Sequence, residues 1–101
     1  MVIFPDQGDI VSIKDINFRL LVVSTRFFNE NGGIIACPVM KVATVSPLHI
    51  AIDSSDTTGI VICEQMKYFN LHQRSFRVTG RINLYQMMDI SDAIQGIFEY
   101  V

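Results

Sequence analysis

The chain is predicted to be mainly β with one C-terminal helix, a small curled barrel covered by that helix. Short runs rich in Val and Ile recur as far as Ile82, and turn residues bound them. No crossover helices separate these runs, which favours antiparallel pairing and closure into a barrel. The hydrophobic period changes to a helical one only after Asn83.

Six strands are expected, over Asp9–Lys14, Arg19–Ser24, Ile34–Met40, Leu48–Asp53, Gly59–Cys63 and Phe76–Ile82. Asp15-Ile16-Asn17 makes a short turn between the first two, and Asn29-Glu30-Asn31-Gly32-Gly33 supplies residues that accept positive φ before the third. The stretch from Asp53 to Gly59 is a polar loop. Asn83 is placed as a helix cap, with Gln86 three residues on completing a capping-box pattern. Met87, Ile90, Ile94, Ile97 and Val101 then share one face, while Asp89 and Asp92 sit towards the N-terminal half, where the helix dipole favours acids. The pair Met87 and Met88 reads as core or dimer packing.

A chain of 101 residues, 50% apolar, is expected to form one domain over residues 1–101. Its apolar runs are strand-length, far below the roughly 20 residues of a membrane span. The start has neither a charged segment nor a long apolar one of the signal-peptide kind, so a cytoplasmic location is expected. Cys37 and Cys63 lie inside apolar runs, where thiols act as small hydrophobes, and a disulfide between them is not favoured in a reducing compartment. Two Cys with His49 and His72 give no metal-ligand spacing, so neither metal nor cofactor is expected. A net charge of −2 argues against indiscriminate nucleic-acid binding. Lys67, Arg74, Arg77 and Arg81 nevertheless fall in one acid-free stretch, as a local basic face or as scattered solvated cations.

Four blocks follow one another along the chain: Pro5-Asp6-Gln7-Gly8-Asp9-Ile10-Val11, Arg19-Leu20-Leu21-Val22-Val23-Ser24, Ala36-Cys37-Pro38-Val39-Met40 and Gly59-Ile60-Val61-Ile62-Cys63-Glu64-Gln65. Their order resembles the MazF/PemK (Kid) family of toxin endoribonucleases. That resemblance implies an SH3-like β-barrel of the CcdB/MazF type, working as a homodimer that cuts single-stranded RNA without metal and is held inactive by a small acidic antitoxin.

Metal-free RNA cleavage requires a base for the ribose 2′-hydroxyl, an acid for the leaving 5′-oxygen and a cation for the phosphorane charge. Arginine suits the last role, since its planar fork engages two phosphate oxygens and stays charged. The resemblance assigns Arg19 to it. Glu64 matches the acid proposed as the family's base, and its place at the end of an apolar strand is expected to raise its proton affinity unless it pairs with Arg19 or another cation. Gln65 aligns with a base-reading or structural amide, and Lys67 stands where the family has Arg. Tyr68 is a candidate for stacking on unpaired bases, whereas Phe69 is expected in the core.

Three departures are visible. Met40 occupies the position of a family Thr or Ser whose hydroxyl touches the scissile phosphate, leaving Lys41 or Thr44 as substitutes. The family's long loop between the first two strands, which can supply a histidine, is reduced to Lys14–Phe18. His49, on the outer face of a strand, is the candidate replacement. Ile62 stands where one branch has Arg. Two other readings on the same fold remain: a gyrase-binding poison of the CcdB kind, weakened by the absence of Trp, and a non-catalytic member that binds nucleic acid or an antitoxin.

Overall fold

In the computed structural model, which describes residues 4–54 and 56–98, seven strands and a C-terminal helix make up the fold. The strands are β1 (Asp9–Ile13), β2 (Arg19–Val22), β3 (Gly33–Met40), β4 (His49–Asp53), β5 (Thr58–Ile62), β6 (Lys67–Asn70) and β7 (Phe76–Arg81). A single helical turn, α1 (Arg26–Asn29), lies between β2 and β3, and α2 (Leu84–Phe98) follows β7. All pairings are antiparallel, in the order β4-β5-β3-β2-β1-β7. β6 adds to the free edge of the first half of β3, whose second half pairs with β5.

The central strands read as unbroken apolar runs because both of their faces are covered. Ile10, Leu21 and Cys37 point into a core shared with Met87 and Ile90 of α2, while Val11, Leu20, Val22 and Ile34 enter a second core with Phe69. This double burial is why alternation is absent from β1 to β3. Both cysteines are free and buried, and burial pushes the Cys37 thiol up to about 12 and that of Cys63 to about 11, as expected of inert packing groups.

The block around Gly8 ties the last strand to the first. Asp9 accepts from Arg81 Nε at 3.0 Å, and Asp6 lies 3.2 Å from Arg81 Nη2, so both carboxylates fasten β7 to β1. Gly8 has φ +94, which the tight turn ahead of β1 requires. Gly59 serves packing instead, since a Cβ there would meet the Met40 carbonyl oxygen at 2.8 Å.

Several expectations are corrected. Lys67–Asn70 forms a strand that the sequence reading left unassigned, since only Phe69 of its four residues is buried. Asn29 is not a turn residue but the buried end of α1, which Thr25 caps. Asn83 caps α2 by accepting from Gln86 N at 2.8 Å, but the Gln86 side chain leaves its Oε1 without a partner, so the capping box is half-made. Ile97 is 37% exposed rather than buried with Met87 and Ile90, Met88 is also exposed, and Val101 lies outside the described residues.

Candidate nucleic-acid cleft

Arg19 opens β2 opposite Val39, and Met40 and Lys41 follow Val39 directly, so the β2–β3 register places all three at one end of the sheet. Gly59 lets β5 lie against the Met40 carbonyl, which carries Thr57 and Thr58 to the same place. Together with Asn17 and Phe18 from the β1–β2 turn these residues line an open cleft of about 330 Å³.

The electrostatics of this cleft centre on Arg19. Its Nε is buried, makes no hydrogen bond, and has Asp56 Oδ2 as its ionic partner at 3.7 Å. A buried guanidinium N–H without an acceptor is uncommon, while the Arg19 side chain as a whole is 38% exposed at the cleft. Thr58 donates to Asp53 and Thr57 to Asp56, leaving both threonine oxygens in place beside the cations.

The cleft also shows what sequence reasoning missed. Thr57 and Thr58 bring hydroxyls beside Met40, the position that lacks one, each now donating to an aspartate, whereas Thr44 does not line the cleft. The signal was Gly59: a glycine inside an apolar strand marks close approach of another backbone, and the residues just before it share that approach.

The second group of predicted residues is separate from the cleft. Glu64 does not pair with Arg19; its cation is His49, whose Nε2 lies 2.8 Å from Glu64 Oε2. His49 Nδ1 is 2.6 Å from the Thr44 carbonyl oxygen, so both ring nitrogens face acceptors. The Thr44 carbonyl and then Glu64 raise the imidazole's proton affinity, and the bond from His49, followed by Glu64's own backbone, lowers that of the carboxyl. Of the two expectations for Glu64 the structure takes the pairing with another cation, and its proton affinity falls rather than rises because the hydrogen bond from His49 outweighs desolvation.

That pair makes a pH prediction. The contribution of His49 is present below its ordinary pKa of 6.5 and is lost as pH rises through the elevated folded value. That of Glu64 is present above 4.5 and is lost as pH falls through the depressed one, so the clasp is intact between about 4.5 and 6.5. Thermal melts of the wild type and His49→Gln should therefore converge as pH rises towards 9. Parallel curves would mean that the clasp does not stabilise the fold.

The remaining candidates are spread out. Gln65 is exposed on a 3₁₀ turn (Cys63–Gln65). Lys67 is exposed on β6, its ammonium 5.8 Å from the Phe69 ring. Tyr68 is 54% exposed, stands edge-on to Phe28 with ring centroids 6.4 Å apart, and covers Gly33. Phe69 is in the core as expected.

A family profile described as PemK-like, MazF-like toxin of type II toxin-antitoxin system matches residues 16–98, leaving the Pro5–Val11 block outside it. Among solved structures the chain is similar to the MazF of a MazE–MazF complex from Deinococcus radiodurans, with 18% identity, 96% of this chain and 98% of that one covered, and a TM-score of 0.86. It is also similar to an endoribonuclease from a mycobacterial species, at 19% identity with 97% and 94% covered and a TM-score of 0.83. A mycobacterial endoribonuclease in complex with its cognate antitoxin gives 19% identity, 93% and 94% coverage and a TM-score of 0.80. No curated protein sequence matches.

Proposed function

The chain belongs to the PemK-like, MazF-like toxins of type II toxin-antitoxin systems, and on that premise we propose that it is an endoribonuclease that cuts single-stranded RNA at a short sequence without metal. The observation that carries this reading is the cleft, where Arg19 and Lys41 meet beside two threonine oxygens. A phosphate there meets the Arg19 guanidinium, shared with Asp56, and the exposed Lys41 ammonium, in a chain whose net charge is −2. As the 2′-oxygen attacks phosphorus and the bond to the 5′-oxygen breaks, the equatorial oxygens gain charge that a preorganised guanidinium stabilises. We assign the 2′-hydroxyl proton to Glu64, which His49 keeps ionised, and the leaving 5′-oxygen takes its proton from solvent water. Gln65, Lys67 and Tyr68 are assigned to the RNA on either side.

The proposed restraint is a small acidic antitoxin competing for the same cations; the relatives solved with MazE or a cognate antitoxin support it. A homodimer is supported by the apolar residues that α2 exposes, among them Leu84, Tyr85 and Phe98. A cytoplasmic location goes with the same reading; among the described residues no helix is long and apolar enough to cross a membrane.

One observation favours a second reading, a member that binds without cutting. Arg19 pairs with Val39, and Val39 with Val61, so Arg19 stands two strand spacings, about 10 Å, from Val61, and Glu64 lies three residues further along the chain. Alternation also puts Arg19 on the side of Val61 but His49 on the side of Ile62. An RNA strand must therefore cross β3 and β5 to meet both groups.

A fluorogenic oligonucleotide with an RNA centre, in excess EDTA, separates the readings. Met40→Thr is expected to raise cleavage about tenfold, since a hydrogen bond to a charged group contributes roughly 1.5–3 kcal/mol. Equal cleavage by both forms would assign the missing contact to Thr57 or Thr58. No cleavage by either would leave the binding reading.

A further inference from the structure

Eight Lys and Arg residues serve this chain. Among the described residues Arg19, Arg26 and Arg81 are held in ion pairs with aspartates, and Lys41 lines the cleft. The other four, Lys14, Lys67, Arg74 and Arg77, have no carboxylate partner there, and contacts through Lys14 and Arg74 connect them. Arg77 pairs with Ser12 across β1 and β7, and Lys14 N donates to the Ser75 carbonyl, so Lys14 is the diagonal neighbour of Arg77. Such positions are roughly 7–8 Å apart. Arg74 lines a polar cavity of about 610 Å³ with Lys14, Asp15, Gln73 and Ser75. Its guanidinium lies 5.7 Å from the Phe69 ring, to which the Lys67 ammonium also comes within 5.8 Å.

We propose that Lys14, Arg74, Arg77 and Lys67 form a second anion track, which takes the backbone phosphates of RNA flanking the nucleotide held in the Arg19 cleft. This inference rests on the reading of the chain as an RNA-binding toxin. Like charges this close repel one another, and Asp15 is the single acid lining the cavity. A polyanion neutralises them together. The cavity is lined wholly by polar residues and offers no apolar pocket to anchor peptide side chains, so a phosphate backbone suits it better than an acidic protein segment.

The track is continuous with the cleft. Lys14 and Asp15 line the one, Asn17, Phe18 and Arg19 line the other, and the five steps from Lys14 to Arg19 span at most about 18 Å. The turn between them is tighter still, with Asp15 at φ 72 and Ile16 N bonded to the Ile13 carbonyl. A few nucleotides connect the two sites, over a β1–β2 turn too short to block them.

The test is fluorescence anisotropy with 2′-O-methyl pyrimidine RNA, which resists cutting, in lengths of about 4 and about 16 nucleotides, the range of site sizes seen in single-strand binders. The double variant Lys14→Gln/Arg74→Gln should leave the short RNA unaffected. It should weaken the long one roughly 25-fold at 0.1 M salt and reduce the salt slope by about 1.4, at about 0.7 per lost contact. The charge-keeping variant Lys14→Arg/Arg74→Lys should bind as wild type does, and both should melt unchanged because the two side chains are exposed. Unchanged binding at both lengths, or equal loss at both, would overturn the track while leaving the RNA reading in place. Wild type that binds neither length would overturn both. Poly-glutamate that competes at the track as well as RNA of equal charge would overturn the choice of phosphate.

Discussion

Replacing Arg19 with Ala is expected to reduce RNA cleavage about a hundredfold, because removing a preorganised charge stabiliser costs roughly 3 kcal/mol of transition-state binding. Lys41→Ala should lose considerably less. Both residues line the cleft, but Arg19 holds its Nε buried and unbonded beside it, whereas Lys41 is exposed and its charge is screened by water. The fold should survive either change, since Arg19 is only half-buried and its one ionic partner, Asp56, is exposed and returns to solvent. Single-turnover rates on a metal-free substrate provide the measure. Equal losses in the two variants, or normal cutting by Arg19→Ala, would move the phosphate site elsewhere.

Asn29→Ala is expected to have the largest effect on stability, about 3 kcal/mol. Asn29 is 1% exposed, and its amide is used fully: Nδ2 donates to the Pro5 carbonyl at 2.7 Å and the Ser24 carbonyl at 3.2 Å, while Oδ1 accepts from the Ser24 hydroxyl at 2.5 Å. Ser24 Oγ in turn accepts from Ile35 N at 2.9 Å. Truncation leaves buried oxygens with fewer donors, at roughly 1–3 kcal/mol for each unsatisfied group, and opens a space where the amide was. A domain of this size should then melt more than about 10 °C lower. Asn31→Ala, two residues on and exposed, is the control and should melt as wild type does. Similar midpoints for the two variants would mean that water replaces the amide.

The sequence made the barrel legible where each strand had turn residues on both sides, as Arg19–Val22 and His49–Asp53 do. It failed at Lys67–Asn70, where three of four side chains are not buried and no glycine or proline marks the ends. The strand exists because β3 runs past β5 and offers a free edge, a tertiary cause with no local pattern. The site divides in the same way. Arg19 and Lys41 were readable as cations at strand ends, but the engagement of His49 with Glu64 depends on β4 pairing with β5, which brings His49 opposite Ile62. Asn29 looked like a turn residue because it opens the Asn- and Gly-rich run to Gly33, and only its bond to the Pro5 carbonyl reveals its burial.

The ion pairs between Asp6, Asp9 and Arg81 have a consequence for how the protein is made. Arg81 and Asp9 are 72 residues apart, and every contact between β1 and β7 closes a loop of similar length. Such pairings are slow to form and cannot begin until their later partner exists. On a ribosome β2 and β3 emerge early, but β1 keeps one edge open until residues 76–81 arrive. The helix that covers the first core is synthesised later still. The nascent chain therefore displays Arg19 and Lys41 beside a β1 edge that stays open until residues 76–81 have been made.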